Sequence, residues 1–419
     1  MRSVGGGVAA TVTERAGSQQ VTAAQPPVEH DRVLRIVTLL APALVYLVVR
    51  QVGLLVLAWM ASHNGVAVTS ALASWDGEWF IALAAGGYDS PLPGLTDAFG
   101  RHGPETPLAF FPGYPALVAA VGWLPGVEPP AAAFAASLVA GVVCAYGLAR
   151  LVRALPAGSP QLRDRAGLVL VALFAASPMG VVLSMAYSEA LFCALAVWAL
   201  VGVIERRWLL AGLCTAAAGL VRPTAAALVV AVGLAALVAV LGQLSGGGPR
   251  QGWRPWVAGL LAPAGLVGYL GFVASRTGRW DGWFALQRDG WDSYFDGGAA
   301  TLGFTVDVLA TAPSLLEVVT VAVLAGAVVP LAVAARSWRR SVAWPLLVYA
   351  TLVLAMDLGS NGLMNSKARL LLPAFVLLIP PAIGLARRRP GTVFAVLGAA
   401  TLASAWFGAY SLTVWPYAI

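Results

Sequence analysis

The chain has 419 residues, 59% hydrophobic and 11% charged, with a mean hydropathy of +0.80. A soluble domain carries roughly 25% charged residues, so a soluble globular protein is excluded and an all-α polytopic membrane protein is expected. The formal net charge of +7 does not mark nucleic-acid binding, because most arginines lie in short clusters between apolar runs, as topology signals do.

In chain order, the first residues are rich in Gly, Ala, Thr and Gln and lack the apolar core of a signal peptide. Residues 1–32 therefore read as a disordered cytoplasmic tail, and 33–419 as a single integral-membrane domain. Candidate spans fall at 36–61, 131–152, 166–187, 188–204, 208–222, 224–242, 255–275, 313–335, 341–357, 369–386 and 391–412. That is about eleven, with a range of about 10–13, judged against the ~17–25 residues of a bilayer crossing. Cys144, Cys193 and Cys214 all lie inside apolar runs and read as packing residues, with no disulfide or metal set. Lys367 is the only lysine, a bias that points to a high-GC bacterial genome of the actinobacterial kind.

With Arg32 and Arg35 placed in the cytoplasm, the loops "RLVRALPAGSPQLRDR", "ERR", "PRQGWR", "RSWRR" and "ARRRP" all fall inside. This holds only if 108–124, "LAFFPGYPALVAAVGWL", does not cross; two prolines and its short length suit a re-entrant or interfacial helix. The acids then sort to the external face, Asp76, Glu78, Asp89, Glu105, Asp289 and Asp357 among them. External segments 62–130, 276–312 and 358–369 hold most of the unusual polar chemistry. A transport path would instead bury ionisable groups near the midplane, where Arg50 is the main example.

The first polar motif is "ASWDGEWF", with Asp76 and Glu78 between Trp75 and Trp79. The plain reading is a helix start capped by Asp76, with the tryptophans in the headgroup belt. The functional reading is a general base that deprotonates an attacking hydroxyl, each acid raising the proton affinity of the other. Tyr88 in "GGYDS" and Tyr114 in "AFFPGYP" either anchor at the interface or wall a groove for a lipid chain or a sugar face. Tyr187, Ser188 and Glu189 in "AYSEALF" make a polar interruption between two apolar runs. Arg222 in "GLVRPT" is not needed for its turn, which invites a phosphate or carboxylate partner. Gln287 and Trp291 lie in the dense patch "RTGRWDGWFALQRDGWDSYFDGG", for which an interfacial amphipathic helix is the plain reading. Lys367 and Arg369 in "SKARLLLPAF" oppose the positive-inside preference, and an anionic headgroup would explain them.

No glycine-rich phosphate loop or zinc-ligand spacing is present, and His30, His63 and His102 are widely scattered. In order, "WDGEWF", "GGY", "AFFPGYP", "AYSEALF" and "GLVRPT" resemble the PIG-V family of mannosyltransferases, membrane enzymes of the GT-C fold. The resemblance covers about residues 36–240, with "FALQRDGW" and "SKARLLLPAF" less distinct. It implies inverting transfer of mannose from a polyprenyl-phosphate mannose to a lipid-linked acceptor on the extracytoplasmic face of the bacterial cell membrane. The essential acid of the family's Trp-Asp pair falls on Asp76, whereas Glu78 matches no family position and rests on proximity. Lys367, Arg369 and Arg222 are the candidates to neutralise the departing phosphate. The loop between Tyr88 and Phe110 is longer than the resemblance implies, which bears on the acceptor. No cofactor is implied, and metal dependence and oligomeric state stay open. A lipid-linked-sugar flippase or a non-catalytic assembly subunit are the alternatives; the first needs a polar transbilayer path and the second no acid pair.

Overall fold

A computed structural model describes residues 28–312 and 314–419, with side chains from Ile36 onward. The expected tail lies outside the described residues apart from 28–32, which are helical. The chain divides into a short N-terminal unit ending at Leu40 and a body from Ala41 to Ile419, which holds every side-chain contact described below.

Helix α1 (Val28–Asn64) leads into a short α2 (Val68–Ala73) and then α3 (Asp76–Gly86). After a long loop come α4 (Gly113–Gly122), α5 (Pro129–Ala154), α6 (Pro160–Ala175), α7 (Glu189–Ile204) and α8 (Trp208–Gly219). They are followed by α9 (Ala225–Leu244), α10 (Arg254–Leu261), α11 (Ala264–Thr277), α12 (Gly282–Trp291) and α13 (Ala299–Thr311). The chain ends with α14 (Leu315–Trp338), α15 (Trp344–Gly359), α16 (Lys367–Leu370), α17 (Ile379–Ala386) and α18 (Pro390–Thr413). Among the described residues β-pairing is limited to one isolated antiparallel bridge, Phe295 with Ser360.

The all-helical membrane class holds, but several expected spans are shorter as α-helix than the apolar runs that mark them. Among the described residues six helices are long and apolar enough to cross a bilayer, or seven if the bent pair 364–370 and 372–386 is one span. The segment expected at 166–187 stops being α-helix at Ala175, and 188–204, 208–222 and 341–357 form helices of sixteen residues or fewer. Such helices fall short of the ~20 residues of a lipid-facing span. α7 shows why this is tolerated: it is buried against α5, α8 and α9, so protein rather than lipid covers it. α4 has ten residues, about 15 Å of helix, half the hydrocarbon thickness of ~30 Å.

The break after α6 is where Arg50 is used. Its Nη1 donates to the Ala175 carbonyl at 3.1 Å and its Nε to Ser184 Oγ at 3.0 Å. A helix ends with carbonyls lacking partners, and a basic side chain supplies one. The midspan arginine therefore serves the fold.

Contacts also gather the arginine-bearing loops at one end. Arg165 donates to the Arg388 carbonyl at 2.8 Å, and Arg150 pairs with Glu205 at 2.8 Å. Trp208, beside Arg207, bonds Gln251, and the 248–251 turn shares a cavity with Val342 and Trp344. α5 separates this end from the one that carries α3 and α4, since the Tyr114 hydroxyl on α4 meets the Ala133 carbonyl near the start of α5.

Candidate functional site

Four distant stretches of sequence meet at that second end: the start of α3, the start of α7, the turn between α8 and α9, and α16. At the start of α3, Trp75 has φ 55° and ψ −117°, a conformation costing on the order of 1–3 kcal/mol for a residue with a side chain. Packing enforces it. Trp75 lies against the main core, the Ala186 amide donates to the Leu72 carbonyl at 2.9 Å, and Gly77 is buried against Ala186 and Tyr187. The corner presents Asp76 as the first residue of α3, where it makes no capping hydrogen bond. Its Oδ2 accepts from Arg369 Nη1 at 2.8 Å, with about a third (34%) of the side chain exposed.

Arg369 is carried by α16, a four-residue helix that ends before Pro373. The chain bends there by 54°, because proline lacks an N–H and disfavours helix in the preceding residue. The Tyr349 hydroxyl donates to the Pro373 carbonyl at 2.9 Å and fixes the bend. Arg369 thereby lies over the Tyr187 ring, 5.0 Å from its centroid, in cation–π geometry. Its Nε is 3.6 Å from Glu189 Oε1.

Glu189 is fully buried in the first turn of α7, where the helix dipole favours an anion. It also takes Arg222 Nη1 at 2.8 Å, and Arg222 donates to Ser188 Oγ at 2.9 Å. Gly113 docks the Arg222 turn: its amide donates to the Leu220 carbonyl at 2.7 Å, and a Cβ there would lie 2.8 Å from that oxygen. The "AFFPGYP" and "GLVRPT" motifs are thus one packed unit. The result is a charge-neutral chain, Asp76–Arg369–Glu189–Arg222, buried at its centre and most exposed at its Asp76 end. No hydrogen bond among the described residues uses the Nη2 group of either arginine.

Other expected site residues fare differently. Glu78 is exposed on α3 with no ion pair or hydrogen bond from its carboxylate among the described residues. Residues two apart on a helix do not face each other, so α3 does not set the two acids side by side as the motif suggested. Tyr114 was expected to line a groove but has no exposed surface, and its hydroxyl is shared between the Ala133 carbonyl and Ser137. It is a core residue. Lys367 is 1% exposed, and its ammonium donates to the carbonyls of Asp357 and Ser360. That tie folds the 357–367 segment and corrects the expected phosphate contact.

A second, aromatic group flanks the chain of charges. Trp79 stacks on Phe110 with centroids 5.0 Å apart, and Trp291 meets Phe110 edge-on at 5.6 Å. The Tyr88 and Tyr269 hydroxyls both donate to the Phe110 carbonyl at 2.6 Å, and Gln287 Nε2 donates to the Ala109 carbonyl at 3.2 Å. Tyr88, Gln287 and Trp291 therefore hold α12 and the first long loop around Phe110. Tyr269 escaped the sequence reading because a lone tyrosine in an apolar run gives no signal. Among the described residues no group of three or more His, Cys, Asp or Glu is placed to hold a metal ion, and the three cysteines are free.

Neither a family model nor a curated protein matches the chain. Among solved structures it is similar to ArnT from Cupriavidus metallidurans, determined bound to undecaprenyl phosphate. The TM-score is 0.44 and the identity 16%, over 68% of this chain and 51% of that one. The chain thus spans about half the length of that neighbour.

Proposed function

We propose that the protein is a membrane glycosyltransferase that moves a hexose, mannose by the motif resemblance, from a polyprenyl-phosphate sugar to a lipid-linked acceptor. The observation that carries this reading is the Asp76–Arg369 pair, a partly exposed carboxylate bound to a buried guanidinium at one end of an apolar bundle. Asp76 would take the proton of the acceptor hydroxyl as its oxygen attacks the anomeric carbon, inverting it. The bond from that carbon to the phosphate oxygen breaks, and the lipid phosphate leaves with the electron pair.

Arg369 holds Asp76 in the resting protein. A phosphodiester near Arg369 would compete for the guanidinium, since both partners form charge-assisted bonds to it. Donor binding then frees Asp76 to act as base and places cations where negative charge develops. The lipid tail suits apolar walls, each buried methylene contributing about 0.8 kcal/mol.

The test is transfer by the purified full chain in nanodiscs, with a glycolipid extract as acceptor. Polyprenyl-phosphate mannose should support labelling of a glycolipid, and GDP-mannose alone should not. Labelling from GDP-mannose without the lipid-linked sugar overturns the proposal.

A further inference from the structure

A groove of about 440 Å³ opens between the 95–106 loop and α12, within the ~300–1,000 Å³ of small-molecule sites. Its walls are tied together. The Ala98 amide donates to the Gly290 carbonyl at 3.0 Å, and Arg101 bridges the Asp97 carboxylate and the Asp289 carbonyl. The groove is therefore preformed.

The polar groups left for a ligand define its chemistry. Arg101 is committed to Asp97 and Arg279 to Asp281, each at 2.9–3.0 Å, so no free cation is offered to an anion. His102 Nδ1 lies 2.6 Å from the Leu95 carbonyl. A carbonyl only accepts, so Nδ1 carries the proton and Nε2 presents a lone pair in the neutral ring. The Glu105 carboxylate and the Trp291 indole N–H have no hydrogen-bond partner among the described residues. Two acceptors, one donor and aromatic surface suit a neutral, hydroxyl-rich ring. Its hydroxyls both donate and accept, and its C–H face packs on an aromatic ring.

The groove also adjoins the charged chain. The His102 ring lies parallel to Trp79, at 9° and 6.3 Å between centroids. Trp79 follows Asp76 by one helical turn on the same face, about 4.5 Å along the axis. The loop that forms one wall lies between Tyr88 and Phe110, the segment that joins α3 to α4.

We infer that this groove binds the hexopyranose headgroup of the acceptor and sets acceptor choice. The inference rests on the glycosyltransferase reading for the word acceptor; sugar binding in the groove stands apart from it.

Two measurements separate them. In saturation-transfer NMR on the full chain in nanodiscs, ring protons of at least one of a panel of methyl hexopyranosides should show signal. Asp76→Asn should keep that signal, and Glu105→Gln and Trp291→Phe should weaken it. No ring signal from the native chain, or signal unchanged in both groove variants, overturns the inference. In transfer assays the two groove variants should raise the acceptor KM, by up to about tenfold for one weakened or lost hydrogen bond, with the donor KM unchanged. A changed donor KM with acceptor KM unaltered also overturns it. Ring signal without any transfer by the native chain supports the sugar groove and defeats the glycosyltransferase reading alone.

Discussion

Asp76 and Arg369, 293 positions apart, meet at 2.8 Å between Oδ2 and Nη1. The pair joins a motif near the start of the chain to one near its end, and only the carboxylate end reaches solvent. Asp76→Asn keeps the size and a hydrogen-bond acceptor for Arg369 but cannot take a proton. Transfer should fall by about 10²–10⁴-fold, the usual contribution of a general base, with normal insertion and yield. Near-normal turnover would return Asp76 to a purely structural role. Glu78→Gln should change turnover little, because that exposed carboxylate faces away from the pair.

Glu189 is a buried anion between two arginines, and both lose a counter-charge when it is removed. Glu189→Gln would leave Arg222 short of its counter-charge, and breaking a buried ion pair costs about 3–5 kcal/mol. The melting temperature in detergent should fall clearly. Arg222→Gln added to Glu189→Gln should cost less than the sum of the two single changes, since each alone orphans the other. Strict additivity in that double-mutant cycle would show the two residues to be energetically independent.

Gly113 offers a test of how the site is held rather than of its chemistry. A methyl group there would press on the Leu220 carbonyl at 2.8 Å, in the turn that carries Arg222. Gly113→Ala should lower turnover while leaving Arg222, Glu189 and Asp76 chemically intact. Unchanged activity would mean that the turn can shift without consequence.

Particular residues show how much of this was legible in the sequence. Apolar runs fixed the class, because composition and run length alone decide whether a chain is at home in lipid. They overstated the helix at 166–187, which ends at Ala175, because an apolar run does not show where the helix within it stops. Asp76, Glu189, Arg222 and Arg369 each stood out as charge where charge is expensive. Their pairing did not, since partners 33 to 293 positions apart follow from the bend at Pro373 and the corner at Trp75. Tyr114 and Lys367 misled for one reason: a polar group in an apolar chain is as often consumed by a neighbouring carbonyl as offered to a ligand.

Asp296 gives a pH dependence with a definite sign. Its carboxylate accepts from the amides of Ala300 at 2.7 Å and Gly298 at 2.8 Å, and these donors hold its carboxyl below the usual range. A depressed folded value means that the interaction is fully present above the ordinary carboxylate range and lost as pH falls through the folded value. The loop it orders pairs with 359–361 through the Gly359 carbonyl and the Asn361 amide. Hydrogen-exchange protection of Gly298 and Ala300 should be flat from neutral pH down to about 4 and fall below that. Protection that falls already near neutral pH would contradict this assignment.

Sidedness is the last prediction. Gln161, exposed at the start of α6, follows α5, whose 26 residues span about 39 Å from the end that carries α4. Arg288 is exposed on α12, which is fastened by Gln287 to the Ala109 carbonyl just before α4. The two positions therefore lie at opposite ends of the bundle. The Gln161 end holds the arginine-bearing loops joined by Arg165–Arg388 and Arg150–Glu205 contacts, which the positive-inside rule puts in the cytoplasm. In intact cells a membrane-impermeant thiol reagent should label Arg288→Cys and leave Gln161→Cys unmodified until the membrane is opened. The three native cysteines are buried or half-buried within helices, and a variant lacking them supplies the background. Labelling of Gln161→Cys alone would put Asp76 on the cytoplasmic face, where an extracytoplasmic acceptor cannot reach it. Labelling of both would break the bundle geometry itself.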